Sequence, residues 1–200
     1  LSASLAMKPS AFYLVCIWAG IINIANLIAM QFPTYTKSLT GVAFDVLVVG
    51  GIMSTVMMVG QALFKIILGA VVDKSVKGAL WFAFAAGVVG IFLCWFGFAS
   101  EFMLYGGAFI FGAFYATAVV LVPALTRSVF GTREYPVIYS RISTVFNLIG
   151  AFASMIWAWV GSSYGFDAVF VVGLVMLVVV LVTGLAALSI GARRLRPLWE

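Results

Sequence analysis

Gly69-Ala-Val-Val-Asp73-Lys74-Ser-Val-Lys77-Gly78 joins two long apolar runs across a gap of a few residues. On either side of this charged decapeptide the chain consists of apolar segments long enough to cross a membrane, separated by short polar connections. A helix rises about 1.5 Å per residue and a bilayer core is about 30 Å thick, so one crossing needs about 20 apolar residues. Six runs qualify, near 11–32, 46–72, 79–99, 102–126, 137–160 and 168–190. Strands of a membrane barrel would alternate over about ten residues, and these runs are longer and uniformly apolar. The second run exceeds one crossing, so it predicts a tilted helix or a start outside the membrane. With 65% hydrophobic and 8% charged residues, and a mean hydropathy of +1.23, the chain reads as an all-α integral membrane protein.

Charge sets the expected orientation. Lys8, Lys74, Lys77, Arg127, Arg133, Arg141, Arg193, Arg194 and Arg196 fall on one side of the six runs, while the opposite connections hold Lys37, Asp45, Glu101 and Asp167. The positive-inside rule then predicts a multi-pass protein of the plasma (inner) membrane with both termini cytoplasmic. The net charge of +5 reports this topology and not a nucleic-acid footprint. The chain starts at Leu1 with no signal-peptide organisation, and the expectation is a piece of a longer protein. Cys16 and Cys94 lie inside spans, where they read as packing residues.

The absence of histidine excludes Ser-His and Cys-His nucleophilic pairs, His-based metal sites and most haem ligation. The six acidic residues include no intramembrane pair for proteolysis or for a carboxylate-only metal site, and no Gly-Lys-Ser or Gly-Lys-Thr phosphate loop occurs. No enzyme, cofactor or metal is expected.

The remaining chemistry lies in polar residues at helical spacing. Gly51, Ser54, Met58, Gln61, Lys65 and Gly69 share one face of the second span. Lys65 is the one basic residue clearly within a span. A charge at that depth ordinarily faces the bundle interior or a water-filled cavity, although a lysine can also snorkel toward the headgroups. Asn23 and Asn26 lie one turn apart in the first span. Unpaired carboxamides in hydrocarbon cost several kcal/mol, so they must meet protein, water or a ligand; interhelical hydrogen bonding would serve. Ser140, Ser143, Thr144, Asn147 and Ser154 repeat the pattern in the fifth span, and Asn147 is expected to reach the same central space as Lys65. Arg141 reads as an interfacial anchor. Ala83, Gly87, Gly90, Cys94 and Gly97 form a small-residue stripe in the third span, and Ala108, Gly112 and Ala116 another in the fourth, as close helix packing requires. Pro123 predicts a kink or an end to the fourth helix, and Pro136 suits the first turn of the fifth.

The chain resembles the carboxy-terminal six-helix half of a major facilitator superfamily transporter, and within it the oxalate/formate antiporter and monocarboxylate transporter branch. Gly69, Asp73, Lys74, Lys77 and Gly78 are similar to the first part of the superfamily's cytoplasmic signature loop, with Val76 and Gly78 departing from the usual placement. Lys65, four residues before Gly69, falls where the branch carries a cationic anchor for a substrate carboxylate. Pro123-Ala-Leu-Thr-Arg-Ser-Val-Phe130-Gly131 with Tyr139 resembles the run between the tenth and eleventh helices, and Gly161-Ser-Ser-Tyr164 resembles the loop before the last. Phe146 stands where oxalate carriers have a second cation, which favours a monocarboxylate or another small solute.

The resemblance implies a fold of two six-helix halves, each a pair of inverted three-helix repeats, that rock about a central site. Residues 1–200 would form one such half, and the amino-terminal half would be its partner within the bilayer. The expected function is secondary transport of a small solute, an organic anion above all, by antiport or symport. Lys65, Gln61, Asn23, Asn26 and Asn147 would bind the solute, and Gly69, Asp73, Lys74 and Lys77 would form a conformational latch. The rival expectations are a nontransporting six-helix scaffold or partner subunit that assembles through its small-residue stripes, and a six-helix half that works as a homodimer.

Overall fold

The computed structural model describes residues 10–195. Every regular element among the described residues is helical. Helix α1 (Ser10–Asn26) passes through a 3-10 segment, Leu27–Gln31, into α2 (Phe32–Ser38). The first apolar stretch therefore runs to Ser38, beyond its expected end near residue 32. Pro33 lies in the first turn of α2, where a missing N–H costs nothing because that group has no intrahelical partner.

Asp45 starts α3 (Val46–Lys74), its carboxylate accepting from the N–H groups of Leu47 and Val48 at 2.9 and 3.3 Å. Ser75 separates α3 from α4 (Val76–Phe96) and is the single non-helical residue between them. Its backbone is extended, and its hydroxyl accepts from Gly78 N–H at 3.0 Å, capping α4. The expected loop of several residues thus contracts to one, and Gly69–Val72 continue the helix.

The fourth stretch comprises α5 (Glu101–Tyr115) and α6 (Thr117–Phe130). Of the kink or end expected at Pro123, the end is not found, for α6 continues through that residue. The break lies instead at Ala116, where Thr117 Oγ1 donates to Phe114 O at 2.6 Å and Val119 N–H takes the tighter i−3 bond to Ala116 O. A hydroxyl competing for a helical carbonyl loosens the ladder at that point. Gly131, at φ 77°, ends α6 in a conformation that favours glycine.

The fifth and sixth expected runs form one apolar stretch of 59 residues, Tyr135–Arg193, the fifth and last such stretch among the described residues. Pro136 occupies its first turn, as expected. The stretch reverses at Gly165 (φ 81°, ψ 174°) into α7 (135–164) and α8 (166–190). The loop expected at Gly161-Ser-Ser-Tyr164 is helical. Ser162 bonds the Trp159 carbonyl within the helix at 3.1 Å, which leaves the turn to Gly165, whose positive φ few other residues adopt.

The first stretch lies at the centre. Along α7 it meets partners in the same direction: Gly20 against Ile149, Asn23 against Phe146 and Gly150, Ile24 against Trp157. Along α8 the order is reversed: Tyr35 against Phe166 and Phe170, Ile28 at Gly173, Trp18 at Val180 and Gly184. So α7 and α8 run in opposite directions. On the far side, glycines bring three helices together. Gly90 and Gly107 join α4 to α5, and Gly60 and Gly112 join α3 to α5. In the absence of a hydrophobic driving force between helices in lipid, such close approach supplies the dispersion that holds them. Helix α3 is the outlying member, with 17% of its apolar window buried against 61% for the first stretch.

A side chain at Gly112 would press its Cβ to 2.6 Å from Gln61 N and Met57 O, whereas one at Gly106 meets nothing within 4 Å. Gly112→Val is expected to cost about 1–3 kcal/mol, and Gly106→Ala to be neutral or to stabilise by about 1 kcal/mol. Thermal unfolding of the two variants in detergent, followed by circular dichroism, checks the contrast.

Candidate functional site

The polar face of α3 is built by its 3.6-residue period. The seam of Gly50, Met53, Met57 and Gly60 is buried, and Ser54, Gln61 and Lys65 stand beside it, half-buried. The Ser54 hydroxyl is spent on its own helix, donating to Gly50 O at 3.2 Å. Neither Gln61 nor Lys65 has a side-chain hydrogen bond or ion pair among the described residues. A cation and a carboxamide thus stand one turn apart without an intramolecular partner among the described residues.

The two asparagines of α1 differ in their surroundings. Asn23 Nδ2 donates to Phe146 O on α7 at 2.8 Å, the interhelical bond that the sequence left open for it. Asn26, the last residue of α1, is 2% exposed, and neither atom of its carboxamide has a hydrogen-bond partner. Burying an unpaired amide costs about 1–3 kcal/mol. The 3-10 segment that begins at Leu27 lies directly beside this unsatisfied group.

Asn147 is exposed on α7 and donates to Ser143 O at 2.8 Å and Ser143 Oγ at 3.4 Å. It lines a cavity of about 250 Å³ between α6 and α7, together with Val119, Val122, Tyr139, Ser143 and Phe146. A second cavity on the same seam, about 390 Å³, is lined by Val120, Pro123, Arg127, Thr132 and Tyr135. Tyr135 and Tyr139 stack at 5.4 Å between the two. Asn147 and Lys65 thus belong to separate helices, each packed against the fourth stretch, and the cavity holding Asn147 is shared with α6, not α3.

At the Ser75 corner Asp73, Lys74 and Lys77 are exposed. Lys74 and Lys77 line a cavity of about 380 Å³ with Ser75, Ser128, Leu188 and Ala192, which gathers the ends of α3, α6 and α8 at one end of the bundle. Asp73 forms no ion pair among the described residues. Gly69 sits within α3, and a Cβ there meets nothing within 4 Å.

Residues 14–198 match the family model described as the Major Facilitator Superfamily. The chain belongs to that family. No curated protein and no solved structure matches it. Major Facilitator Superfamily proteins are membrane-embedded transporters of small solutes, and the apolar helical stretches of this member fit that setting. Sequence reasoning missed that this superfamily member uses Val119, Val122 and Tyr139 to wall the Asn147 cavity. The four-residue spacing of Tyr135 and Tyr139, matching one helical turn, is a signal that could have found the seam.

Asn26→Leu removes the unsatisfied amide at nearly constant volume. Stability is expected to rise by about 1–3 kcal/mol, seen as a higher unfolding temperature in detergent. A fall would show that the carboxamide has a partner in the folded protein.

Proposed function

We propose that this chain is the carboxy-terminal six-helix half of a secondary transporter that carries a small organic anion, a monocarboxylate above all, by alternating access. In this reading α7 and α8 each cross the bilayer, giving six spans in two inverted three-helix repeats. Residues 1–200 form one domain whose partner is an amino-terminal half. The protein resides in the plasma membrane with both termini cytoplasmic, the side on which basic residues are concentrated.

The observation that carries the reading is the unpaired Lys65 with Gln61 one turn away, on the least buried stretch of the bundle. Lys65 would hold the carboxylate, and Gln61 would donate a neutral hydrogen bond. Asn26, buried without a partner, and Asn147, beside its own cavity, would meet the solute in other positions of the cycle, while Asn23 would serve the site from its contact with Phe146. Gly69, Asp73, Lys74 and Lys77 would form the latch against the other half. A scaffold that assembles through its small-residue stripes is less well supported, because Gly90, Gly107 and Gly112 are already occupied inside this chain.

Counterflow of labelled formate, lactate and oxalate into liposomes containing the intact parent protein tests the reading. Lys65→Ala is expected to lower monocarboxylate uptake at least about tenfold, the loss of one charge-assisted contact, while leaving the unfolding temperature within a few degrees of the parent. Uptake of no carboxylate, or kinetics unchanged in the variant, would refute the anion reading. Gly69→Ala separates latch from scaffold: the unobstructed helical position predicts a gain of about 1 kcal/mol in stability, and the latch predicts slower counterflow in the same variant.

A further inference from the structure

The ends of α4 and α8 remote from the Ser75 corner enclose a different chemistry. There a cavity of about 550 Å³ is lined by five aromatic residues, Tyr35, Trp95, Phe96, Phe98 and Phe166, and by the Asp167 carboxylate, with the segment 38–40 and Gly165 completing the wall. No basic residue lines the cavity, and Asp167 forms no ion pair among the described residues.

The walls are held in place by contacts within the chain. Trp95 lies against Phe96 at 4.9 Å and Phe170 at 5.8 Å, with interplanar angles of 25° and 26°. Its indole N–H donates to Asp167 Oδ1 at 2.7 Å, which orients the carboxylate. The Tyr35 hydroxyl donates to Cys94 O at 3.0 Å, and its ring meets Phe166 at 5.4 Å. The reversal at Gly165 brings Phe166 and Asp167 to the cavity.

We propose that this cavity binds a small organic cation, specifically a trimethylammonium-type group. Ring quadrupoles attract such a cation without requiring it to donate hydrogen bonds, and the carboxylate supplies the full countercharge. One carboxylate falls short of the 6–8 oxygen ligands that calcium requires, even with the wall hydroxyls of Tyr35, Ser38 and Thr40, of which the first two already donate to Cys94 O and Tyr35 O. An anion would meet a negative wall. Interfacial aromatic residues ordinarily anchor a helix at the headgroup level, a role that needs neither the shared cavity nor the oriented carboxylate. Asp167 also sits in the first turn of α8, where a negative charge suits the helix dipole, yet that role leaves Oδ2 open. The cation could belong to a choline lipid headgroup or to a free solute. The inference is independent of the transport reading.

The test is equilibrium binding of radiolabelled tetramethylammonium to the intact parent protein in phosphatidylglycerol vesicles, which contain no choline. Saturable binding is expected. Asp167→Asn keeps an acceptor for the indole and should weaken binding by about tenfold through loss of the charge. Phe98→Leu, at an exposed position in the turn after α4, should weaken it roughly two- to fivefold through loss of one ring. Displacement of the label when phosphatidylcholine is added to the vesicles assigns the site to a lipid headgroup. Persistence of binding in those vesicles assigns it to a free solute, and either result upholds the cation site. No saturable binding by the parent protein, or affinity unchanged in both variants, overturns it.

Discussion

Indole and carboxamide donors that reach the backbone of a neighbouring helix anchor this bundle. Trp18 bonds Val180 O at 2.9 Å, Trp157 bonds Ile24 O at 2.6 Å, and Asn23 bonds Phe146 O at 2.8 Å. A helical carbonyl already accepts one bond within its own helix and has a second lone pair to offer. In hydrocarbon no water competes for it, so an N–H that finds such a carbonyl gains direction as well as energy. The three bonds tie α1 to α7 and α8 together, and the glycine contacts of α3, α4 and α5 complete the bundle around that pairing.

Much of this arrangement is legible in the sequence because hydrocarbon leaves the chain few choices. Runs of 20 apolar residues must become helices, and the steps of three and four that place Gln61 and Lys65 on one face are a property of any α-helix. The misread places are those where competition between local groups decides the outcome. Pro123 carries the stronger breaker signal, yet the helix does not end there, and the break in the fourth stretch lies at Ala116, beside the Thr117 hydroxyl bond to Phe114 O. Gly161 and Gly165 look equivalent by composition, yet one stays helical and the other turns the chain. Asn23 and Asn26 are the same residue type one turn apart, and only the position of α7 decides that one is bonded and the other is not. Likewise, that the cavity beside Asn147 is shared with α6 depends on where the fourth stretch packs, which no pattern within α7 records.

The two ends of the bundle differ in chemistry as well as in charge. Lysines and serines gather where α3, α6 and α8 end, whereas aromatic rings and a carboxylate gather where α2 and α4 end and α8 begins. Between these ends the outer faces are mainly apolar, interrupted on α3 by exposed Thr55 and half-buried Gln61 and Lys65, and on α7 by exposed Thr144, Asn147 and Ser154. Polar groups on such faces are costly against lipid, which is consistent with the proposed placement of both helices toward a partner half and a solute path.

The single-residue corner at Ser75 has a mechanical meaning. Between the last helical residue of α3 and the first of α4, the soft backbone torsions are the φ and ψ of Ser75, and its hydroxyl bond to Gly78 N–H restrains the conformation they adopt. Rotation of α3 about its own axis would have to be absorbed at that joint or passed into α4. The two helices therefore share one joint, and whatever rotation of α3 Ser75 does not absorb passes into α4, whose far end borders the aromatic cavity.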